Sequence, residues 1–172
     1  MACSTVLTGI ALDCANAGGI KKVYIAPISD VTAVTVTAGA VTAITMAEVG
    51  KKFKEYSFRK NTASLTKTAT KDDAAGTSFV TSEVALRFAK MDNAKRTEMQ
   101  ALLTGNVYVI VLDNNGKYWF LGYDSYCSAS AATGESGTSL GDANQYTINL
   151  SAETVEFPQT VDNTIIAALI GK

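Results

Sequence analysis

The sequence has no histidine among its 172 residues. Histidine is the commonest general base and metal ligand, so its absence argues against hydrolase triads and most zinc sites. The three cysteines, Cys3, Cys14 and Cys127, are odd in number and show no CxxC spacing. We interpret them as free thiols in a reducing compartment. The sequence therefore predicts no enzyme activity, no metal and no cofactor.

Long hydrophobic runs and a charge excess are also missing. The longest apolar run, Val107 to Leu112, is far shorter than the roughly 18 residues of a membrane-spanning helix. The N-terminal segment has no basic region, and Thr8 and Asp13 interrupt its apolar run, so we expect no signal peptide. Fifteen basic and 16 acidic residues give a net charge of -1, which leaves no footprint for wrapping nucleic acid. We expect the chain to be soluble, at least as a monomer, and to have no membrane span.

The residues that are abundant are those of strands and turns. Thr, Val, Ala, Ser and Gly are frequent, and there are only two prolines. A length of 172 residues and 47% hydrophobic content suit one domain, residues 1–172, with a core of its own. We predict a mainly β fold: an antiparallel β-barrel or sandwich with one short flanking α-helix and a projecting β-hairpin.

Strand patterns fill the first half of the chain. Lys22 to Ile28 predicts a strand, and Val31 to Met46 predicts a hairpin of two Thr/Val/Ala runs divided at Ala38-Gly39. From Phe53 to Phe58 the apolar residues change face near Lys54, which indicates a bulge.

A projecting hairpin and a half-buried strand are predicted next. Arg59 to Ser78 is polar and Thr-rich, with turn residues at Lys71-Asp72-Asp73 and at Gly76. Phe79 to Ala89 then alternates as a strand with one face on a core. Its apolar face consists of Val84, Leu86 and Phe88.

One helix stands out among the strands. It is predicted to begin at Asp92 or Asn93 as N-cap and to end at Gly105 as C-cap. Its apolar stripe consists of Met99, Leu102 and Leu103. We expect this short helix to close one side of a barrel.

A central hairpin follows the helix. Val107 to Leu112 is apolar on both faces, and Asp113-Asn114-Asn115-Gly116 turns it back into Tyr118 to Tyr123. Asn-Gly between apolar strands is the strongest short-range hairpin signal.

The C-terminal third is less regular. Ser128 to Asn144 is of low complexity, and we expect it to become ordered only against a partner. Tyr146 to Leu150 and the pair Val155 and Phe157 predict a terminal hairpin around a turn at Ser151–Thr154. Val161 to Ile170 fits a closing strand or a docked helical turn equally well.

Four patterns could carry chemistry, and each has a simpler interpretation. Gly134-Glu135-Ser136-Gly137 resembles a nucleophile elbow, but it lacks a histidine partner and we interpret it as a loop. Asp72-Asp73 and Asp113 lack the spaced carboxylates of a calcium loop, so we interpret both as turns.

The other two patterns involve aromatic residues. The basic cluster, with Phe53, Tyr56 and Phe58 interleaved, could form a nucleic-acid platform, but a solvated sheet face is favoured. It consists of Lys51, Lys52, Lys54, Arg59 and Lys60. Trp119 and its aromatic neighbours could bind sugar or peptide, but cross-strand core packing is favoured. Those neighbours are Tyr118, Phe120, Tyr123 and Tyr126.

The order of the elements resembles that of bacteriophage tail tube proteins. The resemblance runs from about Phe53 to Phe157 and consists of FKEYSF, a polar hairpin, VALRFAK, the helix DNAKRTEMQALL, then NVYVIVLDNNGKYWFLGYD and SGTSLGDANQYTINLSAE. It implies a structural virion protein made in the host cytoplasm. Six copies would form a ring whose inner wall is a continuous β-barrel, and rings would stack into a hollow tube.

The resemblance also implies partners. They are further copies of the chain, the terminator, tape measure and baseplate proteins of the tail, and viral DNA that passes through the lumen without sequence-specific binding. A near-neutral or acidic lumen would let DNA slide, so the basic cluster should not line it. The candidate subunit or ring contacts are Arg59, Lys60, Thr62, Lys67, Lys71, Asp72, Asp73, Glu135 and Asp142.

Three alternatives belong to other classes of protein. A capsid decoration or head-to-tail connector protein would form trimers or a single ring. A monomeric β-sandwich would bind carbohydrate or peptide through Trp119. An enzyme would need Cys14 or Cys127 as nucleophile without histidine, and it is the last choice.

Overall fold

The computed structural model describes residues 9–12 and 15–171. Strands hold 52% of the residues and helices 14%, which confirms the mainly β class. The strands are β1 (Ile20–Pro27), β2 (Val31–Thr37), β3 (Ala40–Met46), β4 (Phe53–Tyr56), β5 (Ala63–Asp72), β6 (Thr77–Ala89), β7 (Val107–Asp113), β8 (Tyr118–Leu121), β9 (Ser128–Glu135), β10 (Gln145–Thr154), β11 (Thr160–Val161) and β12 (Ile170–Gly171). The helices are α1 (Asn93–Thr104) and α2 (Asn163–Leu169).

The strands form two sheets. The large sheet has eight strands in the order β12-β4-β1-β7-β8-β11-β3-β2, and the small sheet has four in the order β5-β6-β10-β9. All pairings are antiparallel except β11 with β3 and β12 with β4. The curled sheets together form a half-barrel or sandwich.

Two hydrophobic cores lie on opposite faces of the large sheet. The first core joins the large sheet to the small sheet and to α1; it includes Val23, Val109, Leu86, Ile148 and Leu102. The second core lies under α2 and the β2–β3 hairpin. It includes Tyr24, Val41, Phe53, Phe120 and Ile166. The central strands of the large sheet are therefore buried on both faces.

Strand β7 shows why its sequence is apolar on both faces. Val109 and Val111 belong to the first core, and Ile110 belongs to the second. A strand covered on both sides needs no polar face. The predicted hairpin from β7 to β8 is confirmed, with Gly116 at a φ of 80° in its turn.

The predicted hairpin over Val31 to Met46 is also confirmed. Ala38 and Gly39 form its two-residue turn, with φ values of 51° and 77°. Positive φ at both central residues is the geometry that matches the twist of two antiparallel strands.

The predicted change of face near Lys54 is confirmed, but it involves no bulge. β4 pairs with β1 in continuous register, Val23 with Tyr56 and Ile25 with Lys54. The apolar side chains change face because Phe53 enters the second core, whereas Tyr56 packs against the first. A strand between two cores can alternate in this way without an inserted residue.

Helix α1 begins and ends as predicted. The Asp92 side chain accepts a hydrogen bond from the Lys95 N–H at 2.8 Å, and the Gly105 N–H donates to the Ala101 carbonyl at 2.9 Å. The predicted stripe is wrong at its last member, because Met99 and Leu102 are buried but Leu103 is 48% exposed. α1 packs against β9 and β10 at one side of the small sheet.

The C-terminal third corrects three expectations. Residues 128–135 form β9 against β10, so this part of the low-complexity segment finds its partner within the chain. Ser151–Thr154 continues β10 and is no turn, and Val155 and Phe157 are exposed, so the predicted terminal hairpin is absent from the described chain. The helical alternative for Val161 to Ile170 is confirmed by α2, so the described chain has two α-helices where one had been expected.

Candidate functional site

The candidate site is the small sheet. Each of its two edge strands is long and, in the described part of the chain, pairs with another strand on one side only. β5 pairs with β6 along all ten of its residues, and β9 pairs with β10. Within the described ranges, neither β5 nor β9 has a strand on its other side. The outward N–H and C=O groups of such an edge form a template for another strand. Both edges are open to pairing with another chain.

The face of the small sheet that points away from the first core is polar. Side chains alternate along a strand, so the residues between the core positions share this face. We call it the polar face, and it consists of Ser64, Thr66, Thr68, Thr81, Glu83, Ala85, Arg87, Ala131, Thr133, Glu135, Thr147, Asn149, Ser151 and Glu153. Its charges are three carboxylates against one guanidinium. Glu83 accepts a hydrogen bond from Asn149 Nδ2 at 3.2 Å.

The hairpin of β5 and β6 extends past the end of the small sheet. Pairing between β6 and β10 ends at Thr154, whereas β5 and β6 continue to Asp72 and Thr77. About three residue pairs, or roughly 10 Å, stand clear. Asp72 Oδ1 closes the tip by accepting hydrogen bonds from the N–H groups of Ala74 and Ala75. The predicted projecting hairpin is confirmed, and we call it the arm.

The nine candidate contact residues lie around the small sheet and do not form one cluster. Three lie at the exposed tip of the arm, three at its foot, two at or beyond the end of β9, and one within β5, facing the large sheet. In that order they are Lys71, Asp72, Asp73; Arg59, Lys60, Thr62; Glu135, Asp142; and Lys67. The ion pair between Lys71 and Asp73 at the tip is exposed, and pairs of this kind contribute little to stability.

Lys67 lies between the two sheets. Its Nζ is 3.1 Å from the centroid of the Trp119 ring on β8, and Trp119 Nε1 donates to Asp113 Oδ2 at 2.9 Å. Burial lowers the pKa of Lys67 from 10.5 to about 8, and the negative charge of Asp113 opposes that shift. The ammonium group covers one face of the indole, which leaves less of it for stacking against a sugar.

Trp119 fluorescence should follow the charge of Lys67. Trp119 is the only tryptophan, so we expect its emission to change with a midpoint near pH 8. The folded pKa lies below the ordinary 10.5, so the unfolded chain binds more protons between pH 8 and 10.5. Lys67 therefore makes the free energy of unfolding rise with pH over that window.

The test is a fluorescence titration of the wild type beside two variants. Lys67→Met should remove the midpoint near pH 8, and Lys54→Met, at an exposed lysine on β4, should keep it. A Lys67→Met variant that titrates like the wild type would contradict the assignment.

The loop after β9 is held by Asp142. The Asp142 carboxylate accepts hydrogen bonds from the N–H groups of Thr138 and Ser139 at 2.7 and 2.8 Å. These bonds lower the pKa of Asp142 to about 2. The loop requires glycine at position 137, where φ is 70° and a Cβ would overlap Asp142 Cβ. Residues 136–144 thus form a closed loop held by contacts within one chain. The sequence had predicted that this segment becomes ordered only against a partner.

The basic cluster is divided between two places. Lys51 pairs with Asp30 at 3.2 Å, and Lys54 is exposed on β4 in the large sheet, whereas Arg59 and Lys60 lie at the foot of the arm. The interleaved aromatics pack inward: Phe53 in the second core, Tyr56 and Phe58 against the first. The aromatics needed for a stacking platform are therefore turned away from solvent, as the favoured interpretation requires.

Two of the four aromatics around Trp119 pack in the second core, and the other two are exposed. Phe120 is fully buried and stacks on Tyr108, with ring centroids 5.4 Å apart. Tyr118 packs against the second core, whereas Tyr123 and Tyr126 are exposed beyond the end of β8. The row of five does not form one continuous platform.

The remaining chemical patterns have structural positions. Gly134 and Glu135 end β9, and Ser136 Oγ donates to the Gly137 carbonyl. Among the described residues, no three Cys, Asp or Glu side chains are grouped as a metal ion would need. Asp113 accepts hydrogen bonds from the Lys117 N–H and Trp119 Nε1, which holds the β7–β8 turn.

Cys127 is buried in the first core, and Cys3 and Cys14 lie outside the described residues, as does most of the N-terminal segment. Burial raises the pKa of Cys127 to about 12. In a Cys3→Ser/Cys14→Ser variant we expect Cys127 to react with a thiol reagent roughly 100-fold or more slowly in the native state than in urea. Equal rates in the two states would contradict the burial.

The sequence did not predict one cluster of cationic side chains. Arg87 and Lys90 lie beside Arg59 in an open cleft at the foot of the arm. Arg87 stands among small polar residues on the outer face of β6, but nothing in the sequence places it next to Arg59, 28 positions earlier. The pairing of β5 with β6 and of β6 with β10 brings them together.

No comparison with known proteins assigns a function to these surfaces. Comparisons with protein-family models, curated proteins and solved structures found no match. Neither of the two described helices has the length and apolarity needed to cross a membrane.

Proposed function

We propose that this chain is a structural virion protein that self-assembles into hexameric rings, which stack into the hollow tail tube of a bacteriophage. The observation that carries the proposal is the small sheet, with two long open edges on either side of a polar face. A ring with a continuous β wall needs both features in each subunit.

Edge pairing supplies the ring contact. β5 of one copy pairs with β9 of the next, so each copy uses two different edges. Contacts between unlike surfaces generate rings when the rotation closes, and closure hides edges that would otherwise pair without control. The four strands of each copy then become part of one barrel around the ring axis.

The polar face suits a lumen for DNA. Phosphate affinity comes from Lys and Arg, and this face carries Arg87 against Glu83, Glu135 and Glu153. Its other residues are Thr, Ser, Ala and Asn, which carry no positive charge to bind the phosphates of a duplex. The lysines of the basic cluster, Lys51, Lys52 and Lys54, belong to the other sheet or its approach. DNA would slide along such a wall.

Sedimentation velocity across protein concentration and salt tests the proposal against its alternatives. We expect species of about six copies and larger, in amounts that grow with concentration. Trimers or a single ring species at all concentrations would favour a decoration or connector protein. A monomer under every condition would contradict self-assembly and favour a binding module.

A further inference from the structure

The two ends of the small sheet carry opposite charges. At one end Arg59, Arg87 and Lys90 line an open cleft of about 490 Å³, together with Thr62 and Asn144. We call it the cationic cleft. None of these three cations has an ion-pair partner among the residues that the structure describes. The one carboxylate at the cleft, Asp142, is engaged by the N–H groups of its own loop.

The backbone at the cleft is held in an uncommon conformation. Lys90 has a φ of 66° and Asn61, beside the cleft residue Thr62, has a φ of 62°. Asn144 fixes the first of them, since its carbonyl accepts from the Lys90 N–H and its Oδ1 from the Met91 N–H, both at 2.7 Å. Left-handed backbone at non-glycine residues costs free energy and tends to accompany binding sites.

The opposite end of the sheet is acidic and apolar. Residues 153–157, which we call the acidic segment, contain Glu153 and Glu156 and the exposed side chains of Val155 and Phe157, 73% and 56% exposed. The segment is fixed in place: the Val155 N–H donates to Asp124 Oδ2 at 2.9 Å, and Thr154 Oγ1 donates to the Glu156 carbonyl at 2.7 Å. A preformed segment loses little entropy on docking.

The cleft and the segment cannot meet within one copy. β10 begins at Gln145, which lines the cleft, and ends at Thr154, inside the segment. Its ten residues place the two sites roughly 30 Å apart. They point along the strand direction, whereas edge pairing acts across the strands.

We propose that the acidic segment of one copy docks into the cationic cleft of the next copy, in a head-to-tail contact that joins successive rings. The Glu153 and Glu156 carboxylates face the guanidinium groups of Arg59 and Arg87, which can bind carboxylates through two N–H groups each. Phe157 packs on a guanidinium plane, a surface that arginine offers and lysine does not. The contact rests on the proposed function, because it joins rings that edge pairing has closed.

A second copy fits the cleft better than a nucleic acid. The complementary charges lie on this chain at the opposite pole, and three cations beside a carboxylate are few for a phosphate backbone. The chain as a whole carries a net charge of -1, so the cleft is not part of a strongly basic protein. A contact between unlike poles also propagates in one direction, as stacking requires.

Charge reversal on each side tests the contact. The cleft variant is Arg59→Glu/Arg87→Glu, and the segment variant is Glu153→Lys/Glu156→Lys; all four residues are exposed, so the fold should be kept. Each variant alone should form rings but no stacked tubes, or need at least about tenfold more protein to stack. A mixture of the two should stack again, because each reversed surface then meets its complement.

The matched control is Lys54→Glu/Lys117→Glu, which makes the same change in charge at exposed lysines of the large sheet and its turn. It should stack like the wild type. Stacking by either reversed variant at wild-type concentrations would overturn the contact, as would a mixture that stays unstacked. A wild type that forms rings without stacking would overturn this contact and leave edge pairing intact, whereas a wild type that stays monomeric would overturn the proposed function itself.

Discussion

Of two single proline variants in β9, at position 132 and at position 133, one is expected to abolish ring and tube formation without unfolding the subunit. The N–H groups of adjacent strand residues point to opposite sides, so one of the two bonds to β10 and the other faces the open edge. Proline at the outward position removes a donor that a neighbouring copy needs and leaves the ladder with β10 intact. Sedimentation and circular dichroism measure assembly and fold together.

The two proline variants, Ala132→Pro and Thr133→Pro, serve as each other's control. The variant whose N–H bonds to β10 should lose stability, since it breaks the ladder within the subunit. Thr133→Ala should assemble normally, because it keeps the backbone donor. Assembly of both proline variants at wild-type concentrations would rule out the β9 edge as the ring contact.

Replacing Phe120 by alanine is expected to cost about 3–5 kcal/mol of the free energy of unfolding. Phe120 is fully buried in the second core and stacks on Tyr108. For a chain of this size the loss corresponds to a fall in melting temperature of roughly 6–20 °C. Urea unfolding followed by Trp119 fluorescence measures it.

Phe157→Ala provides the same chemical change at a 56% exposed side chain. It should alter the free energy of unfolding by no more than about 0.5 kcal/mol, because surface substitutions remove little buried area. Similar losses for the two variants would mean that Phe120 is not buried as described.

The parts of the fold that the sequence predicts well are those fixed by local chemistry. Ala38, Gly39 and Gly116 determine their turns through positive φ, and Asp92 and Gly105 bound α1. Position 105 requires glycine because the backbone approaches closely there: a Cβ would meet the Ala101 carbonyl oxygen at 2.9 Å. Each signal acts within a few residues, so tertiary packing does not overrule it.

The parts that sequence reasoning missed depend on partners far along the chain. Residues 128–135 lack apolar side chains larger than alanine, yet they form a strand because β10 supplies a ladder and α1 a cover. Phe53 and Tyr56 looked like a shifted register because a strand between two cores was not foreseen. The continuous apolar run of β7 indicates burial on both faces, whereas the polar Lys54 and Glu55 conceal the same position between two cores in β4.

The candidate site was predicted only in outline. The arm and its residues Lys71, Asp72 and Asp73 lie where the polar hairpin indicated. Lys67 was grouped with them, but strand alternation turns it inward onto Trp119. The cationic cleft depends on Arg59 and Arg87 meeting across two strands, and their separation in sequence hides it.

Electron microscopy of the purified chain in negative stain tests self-assembly most directly. Across a range of protein and salt concentrations, the proposal predicts six-fold rings and hollow tubes with a stain-filled lumen. Rings that never enclose an open channel, or particles that stay monomeric throughout, would contradict it.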